Sequence, residues 1–208
     1  MKSLRTLIWA AMIAAAGTLP AQAQTVESFG AFGGFSRASS GGSFIDLIKD
    51  VGGVVNPRYG LTLGGFANLS LAPNTIARAE LGLSQRGFRV PPENGLRRRE
   101  LDLTYVTLAG LARRSFPGES VNPWIGAGPV ISIRASANGT IDDSSNDVSD
   151  EMSSTDFGFA LEAGATRDVL DFGVRYVVGL SNVSSSSDSD EGFKNRGLAF
   201  TVSYLIPR

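Results

Sequence analysis

Apolar and polar residues alternate along most of this chain. In VLDFGVRYVVGL (169–180), Leu170, Phe172, Val174, Tyr176, Val178 and Leu180 share one face. Asp171, Gly173, Arg175 and Gly179 share the other, together with Val169 and Val177. A period of two predicts a β-strand, because successive side chains point to opposite faces. Seven further segments behave alike: 26–36, 60–71, 75–88, 100–112, 124–135, 156–166 and 197–206. In 75–88, Ala77, Ala79, Leu81 and Leu83 oppose Arg78, Glu80, Ser84 and Arg86. In 100–112, Leu101, Leu103, Tyr105, Ala109 and Leu111 oppose Asp102, Thr104 and Gly110. In 124–135, Ile125, Ala127, Ile131 and Ile133 oppose Gly126, Gly128, Ser132 and Arg134.

The connections separate a sandwich from a barrel. Ala72-Pro73-Asn74 and Arg167-Asp168 are tight, and 113–122 is fairly short. The gaps at 37–59, 90–99, 136–155 and 181–196 are mostly long and polar. Short turns alternating with long loops mark a transmembrane β-barrel. A two-residue turn at Arg167-Asp168 sets Ala165 opposite Leu170, with both on the apolar face. A one-residue slip would turn every side chain to the wrong side.

The polar face adds a second argument. It is rich in glycine and carries isolated charges of both signs: Arg78, Glu80, Asp102, Arg134, Glu162, Asp171 and Arg175. An eight-stranded barrel has an interior that side chains just fill, and closing the sheet pairs every backbone group, as a bilayer requires. The expectation is an all-β, eight-stranded antiparallel up-and-down transmembrane barrel, its uncharged face outward and these seven charges forming a polar network in the lumen. A soluble barrel with an apolar lumen is the alternative. Pro129 has no N–H to donate, so a bulge or local break is expected near Gly128-Pro129.

Composition narrows the chemistry. The first 23 residues have a basic start (Lys2, Arg5), an apolar run over 7–16 and a small-x-small site at Ala21-Gln22-Ala23. That layout predicts a cleaved secretory signal peptide, too short to span a bilayer, leaving 24–208 as one barrel domain exported to the cell outer membrane. The chain has no cysteine and no histidine, so it lacks a thiol nucleophile and the commonest general base. Past the signal its lysines are Lys49 and Lys194, neither in a catalytic motif. The 19 basic and 20 acidic side chains nearly balance, giving no reason to expect nucleic acid as a partner. The acidic stretches 142–151 and 184–191 lack the converging oxygens and turn glycine of a calcium loop and read as solvated loops. No cofactor or metal is expected.

Several motifs resemble the bacterial outer-membrane β-barrel domain family that includes PorT-type proteins. ELGLSQRGF (80–88) is similar to its third strand, and PWIGAGPVISI (123–133), with Gly126, Gly128 and Pro129, to its fifth. DFGFALEAGA with LDFGVRYVVGLSNV resembles the sixth and seventh strands, and NRGLAFTVSYLI the closing one. Two features depart from the family. The chain ends Tyr204-Leu205-Ile206-Pro207-Arg208 rather than on an aromatic, and its first loop is long. With no histidine or cysteine to supply a base or thiol, the expectation is a non-enzymatic outer-membrane protein with a structural or partner-binding role, which the resemblance implies is accessory to secretion.

Fold alone does not fix function, and the residues leave alternatives open. The lumen charges form either a salt-bridged plug or a narrow pore for ions or small solutes. A lipid-modifying enzyme is a third reading. In the first loop, Phe44, Leu47, Ile48 and Val51 recur at helical spacing, as a cap on the barrel mouth or a docking element for a protein partner. Arg97, Arg98 and Arg99 lie where they could contact lipopolysaccharide phosphates. Outer-membrane lipid is the expected surrounding partner.

Overall fold

The computed structural model describes residues 25–41, 50, 54–92, 97–142, 144–148, 153–181 and 194–208. The signal segment 1–23, the loop positions Phe44, Leu47, Ile48 and Val51, and the acidic stretch 184–191 lie outside them.

Nine strands are present among the described residues: β1 (Val26–Gly41), β2 (Asn56–Ala72), β3 (Thr75–Val90), β4 (Arg99–Ser115), β5 (Asn122–Ile141), β6 (Ser144–Asp147), β7 (Thr155–Arg167), β8 (Leu170–Gly179) and β9 (Lys194–Pro207). Their order is β4-β3-β2-β1-β9-β8-β7-β5, and β5 pairs back onto β4. That last pairing closes an eight-stranded antiparallel barrel. β6 is an addition, pairing with Asn138–Ile141 of β5 beyond the barrel. Part of the first acidic stretch is therefore strand rather than loop.

Seven of the eight barrel strands are longer than their alternating segments, because backbone pairing continues past the point where the apolar pattern fades; β8, at 10 residues, stops one short at each end of 169–180. The turns at Pro73-Asn74, 116–121 and Asp168-Val169 share one end with both termini, since Ser28 pairs with Pro207. Asn74 and Asp168 adopt φ of 58° and 53°, a left-handed conformation that Asn and Asp tolerate better than most residues. The tight turn falls one residue later than the sequence suggests: Arg167 pairs with Leu170, and Ala165 with Phe172. The pairing moves by two positions, so both faces survive.

The outward face is apolar, with Phe35 at 70% and Leu81 at 60% exposure. Its residues on β1, β2, β3, β5, β7, β8 and β9 are those the alternation assigns. β4 is the exception. Leu101, Leu103, Tyr105, Ala109 and Leu111 are buried in the lumen, while Val106, Leu108, Gly110 and Ala112 face out. Both faces of β4 are largely apolar, so alternation cannot choose between them. Pro129 keeps its place opposite Phe159 on β7. On its other side the β4–β5 pairing is interrupted between Ala109↔Val130 and Ala112↔Ala127 without a register shift. The break is thus local, and the β5 bulge lies instead near Ala135, between the Tyr105↔Arg134 and Thr104↔Ser136 pairs.

Candidate functional site: a lumen filled by interlocked ions

Alternation aims one side chain in two at the barrel axis, and on β3, β4, β7 and β8 those side chains include six ions. Arg78 and Glu80 come from β3, Arg113 from β4, Glu162 from β7, and Asp171 and Arg175 from β8. Three cations meet three anions, and each ion contacts at least two of opposite sign. Arg78 Nε donates to Glu80 at 2.6 Å, and its Nη1 to Asp171 at 3.4 Å. Arg113 donates to both oxygens of Glu162, at 2.5 and 3.2 Å, and to Asp171 at 2.8 Å. Arg175 forks onto Glu80 at 2.7 and 2.9 Å and reaches Glu162 at 2.8 Å. Two-toothed guanidinium–carboxylate contacts are the strong, directional form of this interaction.

Neutral groups complete the packing. Trp124 Nε1 donates to Asp171 at 2.6 Å, and Thr166 Oγ1 donates to the same oxygen at 3.1 Å. Ser203 Oγ accepts from Arg78 at 3.1 Å. The Arg78 guanidinium lies 3.4 Å above the Phe66 ring centroid, and that of Arg113 lies 4.0 Å from the Trp124 ring, placing cations on electron-rich faces. Glycine makes the room. A β-carbon at Gly126 would sit 2.7 Å from Glu162 Oε1, and one at Gly164 would sit 2.3 Å from Trp124 Cζ2. The glycine-rich inner face is therefore the complement of large side chains on facing strands.

A second polar group lies nearer the loops. Arg86 donates to Asp156 at 3.2 Å and to Ser132 at 3.1 Å, and sits 5.1 Å from the Tyr105 ring. Asp156 also accepts from Ser181 at 2.7 Å and from Asn195 at 3.0 Å. Buried Ala109, Leu111, Val130 and Ala160, with Val177 against them, form one apolar wall of the lumen. At the short-turn end lies a cavity of about 730 Å³, lined by Ser28, Asn68, Thr75, Asn122 and Thr166 among others. None of the six ions lines it.

Of the seven charges the sequence assigns to the lumen, five belong to the six-ion cluster: Arg78, Glu80, Glu162, Asp171 and Arg175. Arg134 sits higher along β5 and donates to the Ser153 carbonyl at 3.2 Å. Asp102 is a correction. It lies on the outer face of β4, its side chain 37% exposed and 2.7 Å from Arg58, because β4 turns its odd-numbered positions inward. The same inversion hid Arg113, which lies just past the recognised end of the fourth segment and reads there as a loop residue. Its parity with Leu111 and Ala109 was the available signal. Arg97 lies 4.0 Å from Asp142, Arg98 contacts Glu100 at 3.4 Å, and Arg99 opens β4, all at the loop end.

The described residues hold no cluster of three or more histidine, cysteine or acidic side chains arranged for a metal. No described helix is long and apolar enough to cross a membrane, which leaves strands to do so.

No curated protein matches the sequence. Among solved structures, Neisserial surface protein A is similar over 85% of this chain and 96% of its own, at 15% identity and a TM-score of 0.47. Ail, the attachment invasion locus protein of Yersinia pestis, is similar over 88% of this chain and all of its own, at 13% identity and a TM-score of 0.44. The N-terminal barrel domain of Pseudomonas aeruginosa OprF covers 86% of this chain at 12% identity, with a TM-score of 0.35. A family model described as an outer membrane protein beta-barrel domain matches residues 22–185. This chain, an outer-membrane protein, belongs to that β-barrel domain family.

Proposed function

We propose that this protein is a closed, non-enzymatic barrel that anchors its loops at the cell surface as a binding platform, accessory to secretion as the likeness to PorT-type proteins implies. Its outward apolar face meets the hydrocarbon of outer-membrane lipid, and its short turns face the periplasm. One observation carries the reading: six buried ions from four strands neutralise one another across the lumen. An open pore needs those charges solvated and apart. A catalytic site needs a nucleophile beside a base, and the six lumen ions here are spent on one another. The lumen then fixes the barrel's shape, and recognition falls to the loops.

Planar-bilayer recording of the full-length refolded chain tests this. The expected result is no unitary conductance, for the protein itself and in the presence of simple salts. Steady openings that vanish in Glu162→Gln would overturn the plug in favour of a narrow channel. Release of fatty acid from lipid by the same preparation would overturn the non-enzymatic reading.

A further inference from the structure

Where the outward apolar belt ends at the loop side, the charges above it are unevenly spread. On five adjacent strands they are cations: Lys194 and Arg196 on β9, Arg37 on β1, Arg58 on β2, Arg89 on β3, with Arg98 just before β4. Among the described residues of those strands, the acids on this rim are Glu100 and Asp102. Both are already engaged, Glu100 by Arg89 at 2.5 Å and Asp102 by Arg58 at 2.7 Å. Arg58 reaches Asp102 by crossing Gly87, where a β-carbon would lie 3.2 Å from its Cδ. On the other side of the barrel, the corresponding positions are Ala135 on β5, Thr155 on β7 and Leu180 just past β8, all uncharged.

Arg37 and Arg196 form the centre of the cationic arc. Both are exposed, and Arg37 pairs with Leu198 while Ser39 pairs with Arg196. That makes the two arginines diagonal neighbours on one face, about 7–8 Å apart, a separation that lets two guanidinium groups converge on one phosphate. Directly below them the same face presents Phe35, Tyr59, Leu61 and Phe200, all well exposed. Cations over an apolar wall match a molecule with a phosphorylated head and acyl tails.

We propose that this facet of β9, β1 and β2 binds the outer leaflet's phosphorylated glycolipid, lipopolysaccharide, with Arg37 and Arg196 on a head-group phosphate and the aromatic wall against its acyl chains. The Arg97–Arg99 segment lies at one edge of this arc, where acids already occupy Arg98 and neighbour Arg97. The proposal rests on the loop end facing outward, as the shared end of the short turns and termini implies.

The test uses the full-length barrel in phosphatidylcholine nanodiscs, titrated with purified lipopolysaccharide carrying its lipid A phosphates. Each arginine near a phosphate surface is worth about fivefold in affinity, so Arg37→Gln with Arg196→Gln should weaken binding about 25-fold. Removing the lipid A phosphates should do the same to the unaltered protein. The pair Arg114→Gln and Arg167→Gln, at the short-turn end, should bind as the unaltered protein does. Heat-dependent gel migration checks that each variant is folded, and Arg37→Lys with Arg196→Lys should retain most of the affinity. Unchanged binding in the glutamine pair, or equal binding of phosphatidylglycerol vesicles, would overturn the site. Because the chain has no cysteine, Asn146→Cys reports orientation separately. Labelling by an impermeant maleimide on intact cells is expected, and its failure would overturn the site through its orientation while leaving the lumen plug intact.

Discussion

The two polar groups in the lumen use the same kinds of residue under different rules. Toward the short turns, three arginines and three carboxylates interlock, and every ion has at least two opposite partners. Toward the loops, Arg86 faces one carboxylate, Asp156, and the remaining contacts come from Ser132, Ser181, Asn195 and Tyr105. The first group holds β3 and β4 to β7 and β8 across the barrel, and its geometry is set by charge. The second is a pair dissolved in neutral hydrogen-bonding groups. Their difference separates two jobs: an interlocked set fixes the register of facing strands, whereas a cushioned pair satisfies one buried charge near the mouth.

The largest effect follows from removing one member of the interlocked set. Arg113→Leu leaves Glu162 and Asp171 short of a cation and takes the guanidinium off the Trp124 ring. Stranding buried charge costs about 3–5 kcal/mol, so the urea midpoint of the refolded barrel should fall steeply and Trp124 fluorescence should shift in the folded state. A loss under about 1 kcal/mol would mean that the cluster is not what holds those strands.

Arg86→Met should cost less, about 1–3 kcal/mol, because Asp156 keeps donors from Ser181 and Asn195 and the methionine refills the space beside Tyr105. Combining it with Arg113→Leu sharpens the comparison. Among the described residues no ion pair joins the two groups, so their effects on unfolding free energy should add to within about 0.5 kcal/mol. Strong coupling would make the lumen one network rather than two.

How much of this the chain discloses in advance depends on how unlike its two faces are. β8 sets Leu170, Phe172, Val174 and Tyr176 against Asp171 and Arg175, so one face can only be the lumen once lipid is outside. The barrel, its strand number and five members of the interlocked set were legible from such segments. β4 sets Leu101, Leu103 and Tyr105 against Val106 and Leu108, and burial there is decided by neighbouring strands. Misreading that strand removed Arg113 from the cluster and put Asp102 into it. The pairing after β7 moved by two positions without harm, since a move of two preserves parity. The Arg86–Asp156 pair was harder to see because Asp156 stands at the very start of its alternating segment, 156–166, where the pattern has not yet declared which face it is on.

The smallest effect tests that correction directly. Asp102 and Arg58 form an ion pair of 2.7 Å, within the 2.5–3.4 Å range of the hydrogen-bonded lumen pairs, so distance alone would rank it with the interlocked set. Exposure ranks it elsewhere. Its side chain is partly exposed on the outer rim, whereas the lumen anions are almost wholly buried, and pairs nearer water are worth less, down to about 0–1 kcal/mol when fully exposed. Asp102→Asn should therefore leave the urea midpoint nearly unchanged, while Asp171→Asn, which removes charge shared by Arg78 and Arg113, should lower it several-fold further. Salt offers an independent check: screening acts on exposed charges far more than on buried ones, so raising ionic strength should erase what little separates Asp102→Asn from the unaltered protein and leave the Asp171→Asn deficit in place. If the two asparagine variants lost equal stability, Asp102 would belong inside the barrel after all, and β4 would have to turn its other face to the lumen.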